Sequence, residues 1–110
     1  MNVGYWRKAN AIHSWFVTNV QNGVDNCQLY YVHRNQLVKL KELCNEALAA
    51  YSRGDLNSAR QLLTPKEGFF FGSVQVDEGY KSDLEQTVQI IGKCLTSKFE
   101  DFDFYYRSSW

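Results

Sequence analysis

Two histidines are the first candidates for chemistry, because an imidazole exchanges a proton close to neutral pH. His13 lies at the edge of an apolar stripe in the first predicted helix, and His33 precedes the second predicted helix. The catalytic interpretation makes His13 a general base in a pocket floored by aromatic rings. The structural interpretation makes it a partly buried, hydrogen-bonded side chain, and lets His33 satisfy free amides at a helix start. We favour the structural interpretation, and an enzyme that uses His13 or His33 is the third function hypothesis.

Cysteines and carboxylates give no recognisable catalytic or metal-binding pattern. Cys27, Cys44 and Cys94 are an odd number without a C-x-x-C spacing, which favours a reducing compartment over a disulfide framework. The spacing of Cys27 with His13 and His33 matches no zinc site. The acidic residues fall at predicted helix starts, on solvated faces, or in the run Glu100, Asp101 and Asp103 before the last strand, and each has a structural interpretation. No phosphate-loop, dinucleotide-binding or nucleophile-elbow motif is present. We therefore expect no catalytic residues, no metal and no cofactor.

The first predicted helix carries a tryptophan outside its apolar stripe, which consists of Tyr5, Ala9, Ile12, Phe16 and Val20. Trp15 projects about 120° from the centre of that stripe, and Arg7 and Lys8 lie on the polar arc. An exposed tryptophan beside basic side chains is typical of a protein-interface hot spot or of a base-stacking platform. The competing interpretation is that another element covers this side and makes Trp15 ordinary core.

The C-terminal tail is the second candidate binding region. Tyr105, Arg107 and Trp110 are of types that are enriched in protein interfaces, and they lie near the end of the chain. If the last strand is a sheet edge, it could also pair with a strand of a partner. The candidate partner-binding residues are therefore Arg7, Lys8, Trp15, Tyr105, Arg107 and Trp110.

The elements that must position these residues follow from hydrophobic periodicity and from helix stop signals. Asn22-Gly23 supplies a helix stop, and Asp55 looks like a helix N-cap. The apolar stripe of the second helix consists of Leu37, Leu40, Cys44, Ala47, Leu48 and Tyr51. The predicted helices span 5–21, 35–52, 55–63 and 77–97. In the last of these, Tyr80, Leu84, Val88, Ile91 and Leu95 form the apolar stripe, although Ser82 with Glu85 offers a later start. The predicted strands span 28–32, 69–71 and the alternating tail that begins at Phe102.

Length and composition predict one globular domain over residues 1–110. The chain has 110 residues, 45% hydrophobic and 15% aromatic, with 12 basic and 12 acidic side chains. We expect a small α+β domain with three main helices, one short helix and a two- or three-stranded sheet. The balanced charge argues against a dedicated duplex-DNA binder. No signal peptide and no apolar run long enough to span a bilayer is visible, so a soluble, intracellular protein is expected.

Three strings, spread along nearly the whole chain, carry a resemblance. YWRKANAIHSWFV, GFFFGS and FYYRSSW together resemble a family of small bacteriophage proteins to which no activity is assigned. The resemblance implies a phage gene expressed in the cytoplasm of a bacterial host. It transfers no catalytic or binding residue.

The leading function hypothesis is a phage accessory protein that binds and inhibits a host macromolecule by protein–protein contact, for example a defence component such as a CRISPR effector. The alternative is a protein that binds a nucleotide or single-stranded nucleic acid, with Trp15 and Trp6 stacking on bases and Arg7 and Lys8 contacting phosphate. A homodimer is compatible with so many aromatic residues on a small domain. No membrane partner is expected.

Overall fold

A computed structural model describes residues 4–6, 9–24, 26, 28–65 and 75–107. This part of the chain contains four α-helices, one 3-10 turn (Ser97–Phe99) and two strands. The elements are α1 (Asn10–Asn19), β1 (Tyr30–Val32), α2 (Arg34–Ser52), α3 (Leu56–Leu62), α4 (Glu78–Cys94) and β2 (Phe104–Tyr106). The predicted α+β class is confirmed. The strand predicted at 69–71, and Cys27, lie outside the described residues.

The two longest helices pack on each other and form the body of the core. α2 buries Leu37, Leu40, Cys44 and Ala47, as its predicted stripe requires. α3 packs on the same helix, and its start is capped by Asp55, whose carboxylate accepts from the Ser58 backbone N–H at 3.2 Å. The sequence predicted both the stripe and the cap because each is a local signal.

Helix α4 begins at the first of the two starts that the sequence offers. The Asp77 carboxylate accepts from the Tyr80 backbone N–H at 3.1 Å, so the later start at Ser82 is wrong. Tyr80, Leu84 and Ile91 are buried as predicted. The helix ends at Cys94, before the predicted end, because the chain turns there into the 3-10 turn.

The first helix starts five residues later than predicted. Residues 4–6 do not join α1, because they run across α4 and bond to its side chains. Gln86 Nε2 donates to the Tyr5 carbonyl at 2.6 Å, and Trp6 Nε1 donates to Thr87 Oγ1 at 2.7 Å. Tyr5 is consequently 73% exposed, and its predicted place on the buried stripe is wrong.

The two strands form an antiparallel ribbon in which Tyr31 lies opposite Tyr105 and Val32 lies opposite Phe104. Val32 and Phe104 are buried, whereas both tyrosines are exposed, so the predicted alternation of the tail holds from Phe104 onward. The predicted alternation fails at Phe102, which is exposed. This residue belongs to a turn in which its backbone N–H donates a hydrogen bond to the Phe99 carbonyl at 3.1 Å.

No helix in the described ranges combines the length and the apolar character that crossing a membrane requires.

One carboxylate of α4 is poorly solvated. Asp83 is half-buried, and burial together with the nearby charge of Asp77 raises the pKa of Asp83 from about 3.8 to about 6. A carboxyl group whose pKa is higher in the folded than in the unfolded state binds protons more strongly when folded. It therefore favours folding at low pH, and stability is lost as the pH rises from about 4 to about 6.

We predict that Asp83→Asn raises the melting temperature at pH 7.5 and leaves it nearly unchanged at pH 4, because only the charged form is disfavoured. Thermal melts at the two pH values, followed by circular dichroism, measure this. Glu85→Gln is the matched control, since it makes the same charge change at an exposed position of the same helix. Equal effects of the two variants at pH 7.5 would contradict the prediction.

Candidate functional site

A cluster of aromatic rings fixes strand β2 to helix α1. The Tyr106 ring stacks on the Phe16 ring, with 3.8 Å between centroids and 5° between planes. The Tyr106 hydroxyl lies 2.7 Å from His13 Nδ1, and the Trp6 ring meets the Tyr106 ring edge-on at 6.2 Å. Because β2 is only three residues long, these contacts are what hold it in place.

Both histidines occupy the kind of place that their structural interpretation predicts. His13 is buried and hydrogen-bonded to Tyr106, so its expected environment is confirmed and is more buried than predicted. His33 is the residue before α2, where its backbone N–H donates to Gln36 Oε1 at 2.8 Å. The exposed His33 ring packs edge-on against the Tyr31 ring at 4.7 Å.

Trp15 is buried, with 9% of its surface exposed, so the competing interpretation of Trp15 as ordinary core is confirmed and its place among the partner-binding residues is wrong. Helix α1 is covered on more than one side, since Asn10 and Ala11 are buried as well as the predicted stripe. The exposed residues of α1 are Thr18 and Asn19 at its C-terminal end, so Trp15 lies on a covered side of the helix. Trp15 instead packs edge-on against Phe16 at 5.3 Å.

The other candidate binding residues divide into two groups. Arg7, Lys8 and Trp110 lie outside the described residues. Tyr105 and Arg107 are exposed, as the alternation of the tail predicted. The described part of the predicted binding set therefore concentrates at the C-terminal strand.

Three neighbouring aromatic side chains remain in solvent there. Tyr31 is 44% exposed, Phe102 is 49% exposed and Tyr105 is 55% exposed. The rings of Tyr31 and Tyr105 meet edge-to-face at 5.6 Å across the ribbon. We call Tyr31, Phe102 and Tyr105 the aromatic patch. Sequence reasoning found Tyr105 but missed Tyr31, because only the strand register shows that the two are opposite each other.

A polar hollow of about 230 Å³ adjoins the aromatic patch. Tyr31 and Phe102 form part of its wall, and Glu100, Asp101 and Asp103 supply three carboxylates. We call it the acidic hollow. In the sequence these carboxylates form an acidic run before the last strand, for which a structural role was expected.

The Arg34 side chain holds the backbone that lines the acidic hollow. Its guanidinium donates to the carbonyls of Phe99 at 2.8 Å and Glu100 at 3.2 Å, and lies over the Phe104 ring at 5.5 Å. Sequence reasoning missed this residue. The sequence does contain a signal for it, because Arg34 is a cation in the first turn of α2. A positive charge there is unfavourable with the helix dipole, which indicates that another interaction holds the side chain in place.

A second, largely apolar cleft of about 520 Å³ lies along β2, and Phe102 and Tyr105 of the aromatic patch are among the residues that line it. Its lining includes Trp6, Phe16, Ile91 and Tyr106. Among the described residues of the lining, Asp103 is the one with a charged side chain. This size is within the range of small-molecule pockets. A wall that offers a carboxylate and no basic group disfavours a phosphate.

The described cysteines are not arranged for chemistry. Burial raises the pKa of the Cys44 thiol to about 12 and also raises that of Cys94. Both side chains are buried, as is common for free cysteines, and both act as small core residues. Within the described residues, no group of three or more His, Cys, Asp or Glu side chains could hold a metal ion.

Comparisons with protein-family models, with curated proteins and with solved structures find no match to this chain.

We predict that Trp15→Ala destabilises the fold by about 3–5 kcal/mol, because it removes a large buried side chain and leaves a cavity. Urea unfolding followed by circular dichroism measures the change. Tyr5→Ala is the matched control, since it removes an exposed ring, and we expect its effect to stay within about 0.5 kcal/mol. A Trp15→Ala variant as stable as the control would place this tryptophan back at the surface.

Proposed function

We propose that the protein acts by binding another protein, and that the aromatic patch is its contact surface. The observation that carries this proposal is the exposure of the paired Tyr31 and Tyr105 rings on a small domain, with the exposed Phe102 in the wall of the same hollow as Tyr31. Exposed aromatic side chains that lie together are typical of interface hot spots, because they bury a large area and lose little rotamer freedom on binding. The cross-strand pair Tyr31–Tyr105 is held by the ribbon, so the surface is already formed before binding.

The wider function that we propose is that of a phage accessory protein that inhibits a host macromolecule, for example a CRISPR effector. The resemblance to small bacteriophage proteins supports a bacterial host protein as the partner and the bacterial cytoplasm as the location. The exposed Arg107, beside β2, supports the same surface, since arginine is enriched in interfaces.

The alternative, a binder of a nucleotide or of single-stranded nucleic acid, has less support. Burial of Trp15 removes one of the two stacking residues on which that hypothesis depended. The indole N–H of the other, Trp6, is bonded to Thr87 inside the fold. An enzyme that uses His13 would need a substrate to reach a buried ring that Tyr106 already contacts.

We predict that Tyr105→Ser or Tyr31→Ser weakens partner binding by about 2 kcal/mol, or roughly 30-fold, while the fold stays intact. The measurement is affinity capture from a bacterial host lysate at moderate salt, with quantitative mass spectrometry of wild type and variants. The supporting result is a protein held at fixed stoichiometry by wild type and lost by both variants.

Tyr5→Ser is the matched control, because this tyrosine is exposed and belongs to the segment that bonds to α4, not to the ribbon. It should retain the partner as wild type does. A partner retained equally by all four proteins would overturn the aromatic patch as the contact surface. Sedimentation equilibrium, run in parallel, would detect a second copy of the chain as the occupant instead.

A further inference from the structure

The carboxylates of the acidic hollow are available to a ligand. Glu100, Asp101 and Asp103 are all exposed. Within the described part of the chain, none of their side chains makes an ion pair or a hydrogen bond. Three like charges that line one small hollow give it a negative potential, which attracts a cation from outside.

The basic side chains nearby do not neutralise these carboxylates. Arg34 is the one basic residue among the described residues that line the hollow, and it leaves the lining with a net charge of −2. Its guanidinium is directed at the Phe99 and Glu100 carbonyls. Lys98 lies over the Phe99 ring at 5.6 Å. Arg107 is exposed beyond the end of β2.

Aromatic rings border the same hollow. Tyr31 and Phe102 form part of its wall, and Tyr105 meets Tyr31 at its rim. The face of an aromatic ring attracts a cation, and a guanidinium does this best because it is planar and weakly hydrated. The same group pairs with a carboxylate through two parallel hydrogen bonds. Carboxylates beside aromatic rings are therefore complementary to an arginine side chain.

We propose that the aromatic patch and the acidic hollow together bind a basic segment of the partner protein, with an arginine side chain seated in the hollow. This rests on the protein-binding function proposed above and adds the chemistry of the partner. The guanidinium pairs with Asp101 or Asp103, and the flanking part of the segment packs on Tyr31 and Tyr105. An anionic partner such as a nucleic acid is repelled by the same carboxylates.

The test uses a fluorescein-labelled octapeptide of alternating glycine and arginine, and fluorescence anisotropy against the full chain. Binding should weaken about tenfold or more in Asp101→Asn/Asp103→Asn and in Tyr105→Ser. It should also weaken as NaCl rises from 50 to 300 mM, since exposed charges are screened. The same peptide with lysine in place of arginine should bind more weakly, because an ammonium group lacks the planar fork.

Glu42→Gln/Glu46→Gln is the matched control, because it makes the same change in net charge on the exposed face of α2. This variant should bind the arginine peptide within about twofold of wild type, as expected for distant, independent sites. Equal weakening in the two double variants would show attraction to overall charge alone and would overturn the proposal. Binding of a glutamate peptide or of single-stranded oligothymidine at the patch would overturn it as well.

The two proposals fail in distinguishable ways. If host-lysate capture finds a partner that depends on Tyr105 but not on Asp101 and Asp103, the basic segment is wrong and the protein-binding function stands. If no captured partner depends on Tyr105, and the arginine peptide does not bind, both are wrong. Thermal melts of each variant ensure that lost binding is not lost folding.

Discussion

The contact of Tyr106 with Phe16 and His13 is the interaction on which the position of the ribbon depends, and with it the aromatic patch and the acidic hollow. β2 is three residues long and pairs, within the described residues, with a strand of equal length. A ribbon so short is marginal on its own, so its position must come from packing. The stacked ring and the hydroxyl bond to a buried histidine supply it. Because side chains alternate along a strand, an inward Tyr106 requires an outward Tyr105.

The helices were largely predictable from the sequence, because their signals are local. The stripes of α2 and α4, the caps Asp55 and Asp77, and the stop after α1 are each encoded within a few residues. Asn22 and Gly23 both have positive φ there, as the predicted stop requires. The start of α1 was missed because bonds from the Tyr5 carbonyl and the Trp6 indole to α4, some 80 positions away, outweigh the helical pattern of 5–9.

The candidate site was less predictable, because it is made of contacts between distant segments. Tyr105 was found from alternation, but its pairing with Tyr31 depends on a register that no local pattern fixes. Trp15 was wrongly placed at the surface, because a helical projection shows only which residues lie on the same side of a helix. It cannot show how many sides of that helix other elements cover. Arg34 forms the acidic hollow by reaching carbonyls more than 60 positions away. Its role follows from the turn at 97–101, which the sequence did not predict.

The central claim is that Tyr106 points inward and Tyr105 outward, and tyrosine acetylation by N-acetylimidazole tests it most directly. Mass spectrometry with fragmentation can assign the acetylation rate to each of the two adjacent residues. The structure predicts that Tyr105 and Tyr31 are acetylated at rates close to that of exposed Tyr5. Tyr106 should be acetylated at about one tenth of that rate or slower, because its hydroxyl is released from His13 only by local opening. A Tyr106 that reacts as fast as Tyr105, or a protected Tyr105 in the monomer, would contradict this account.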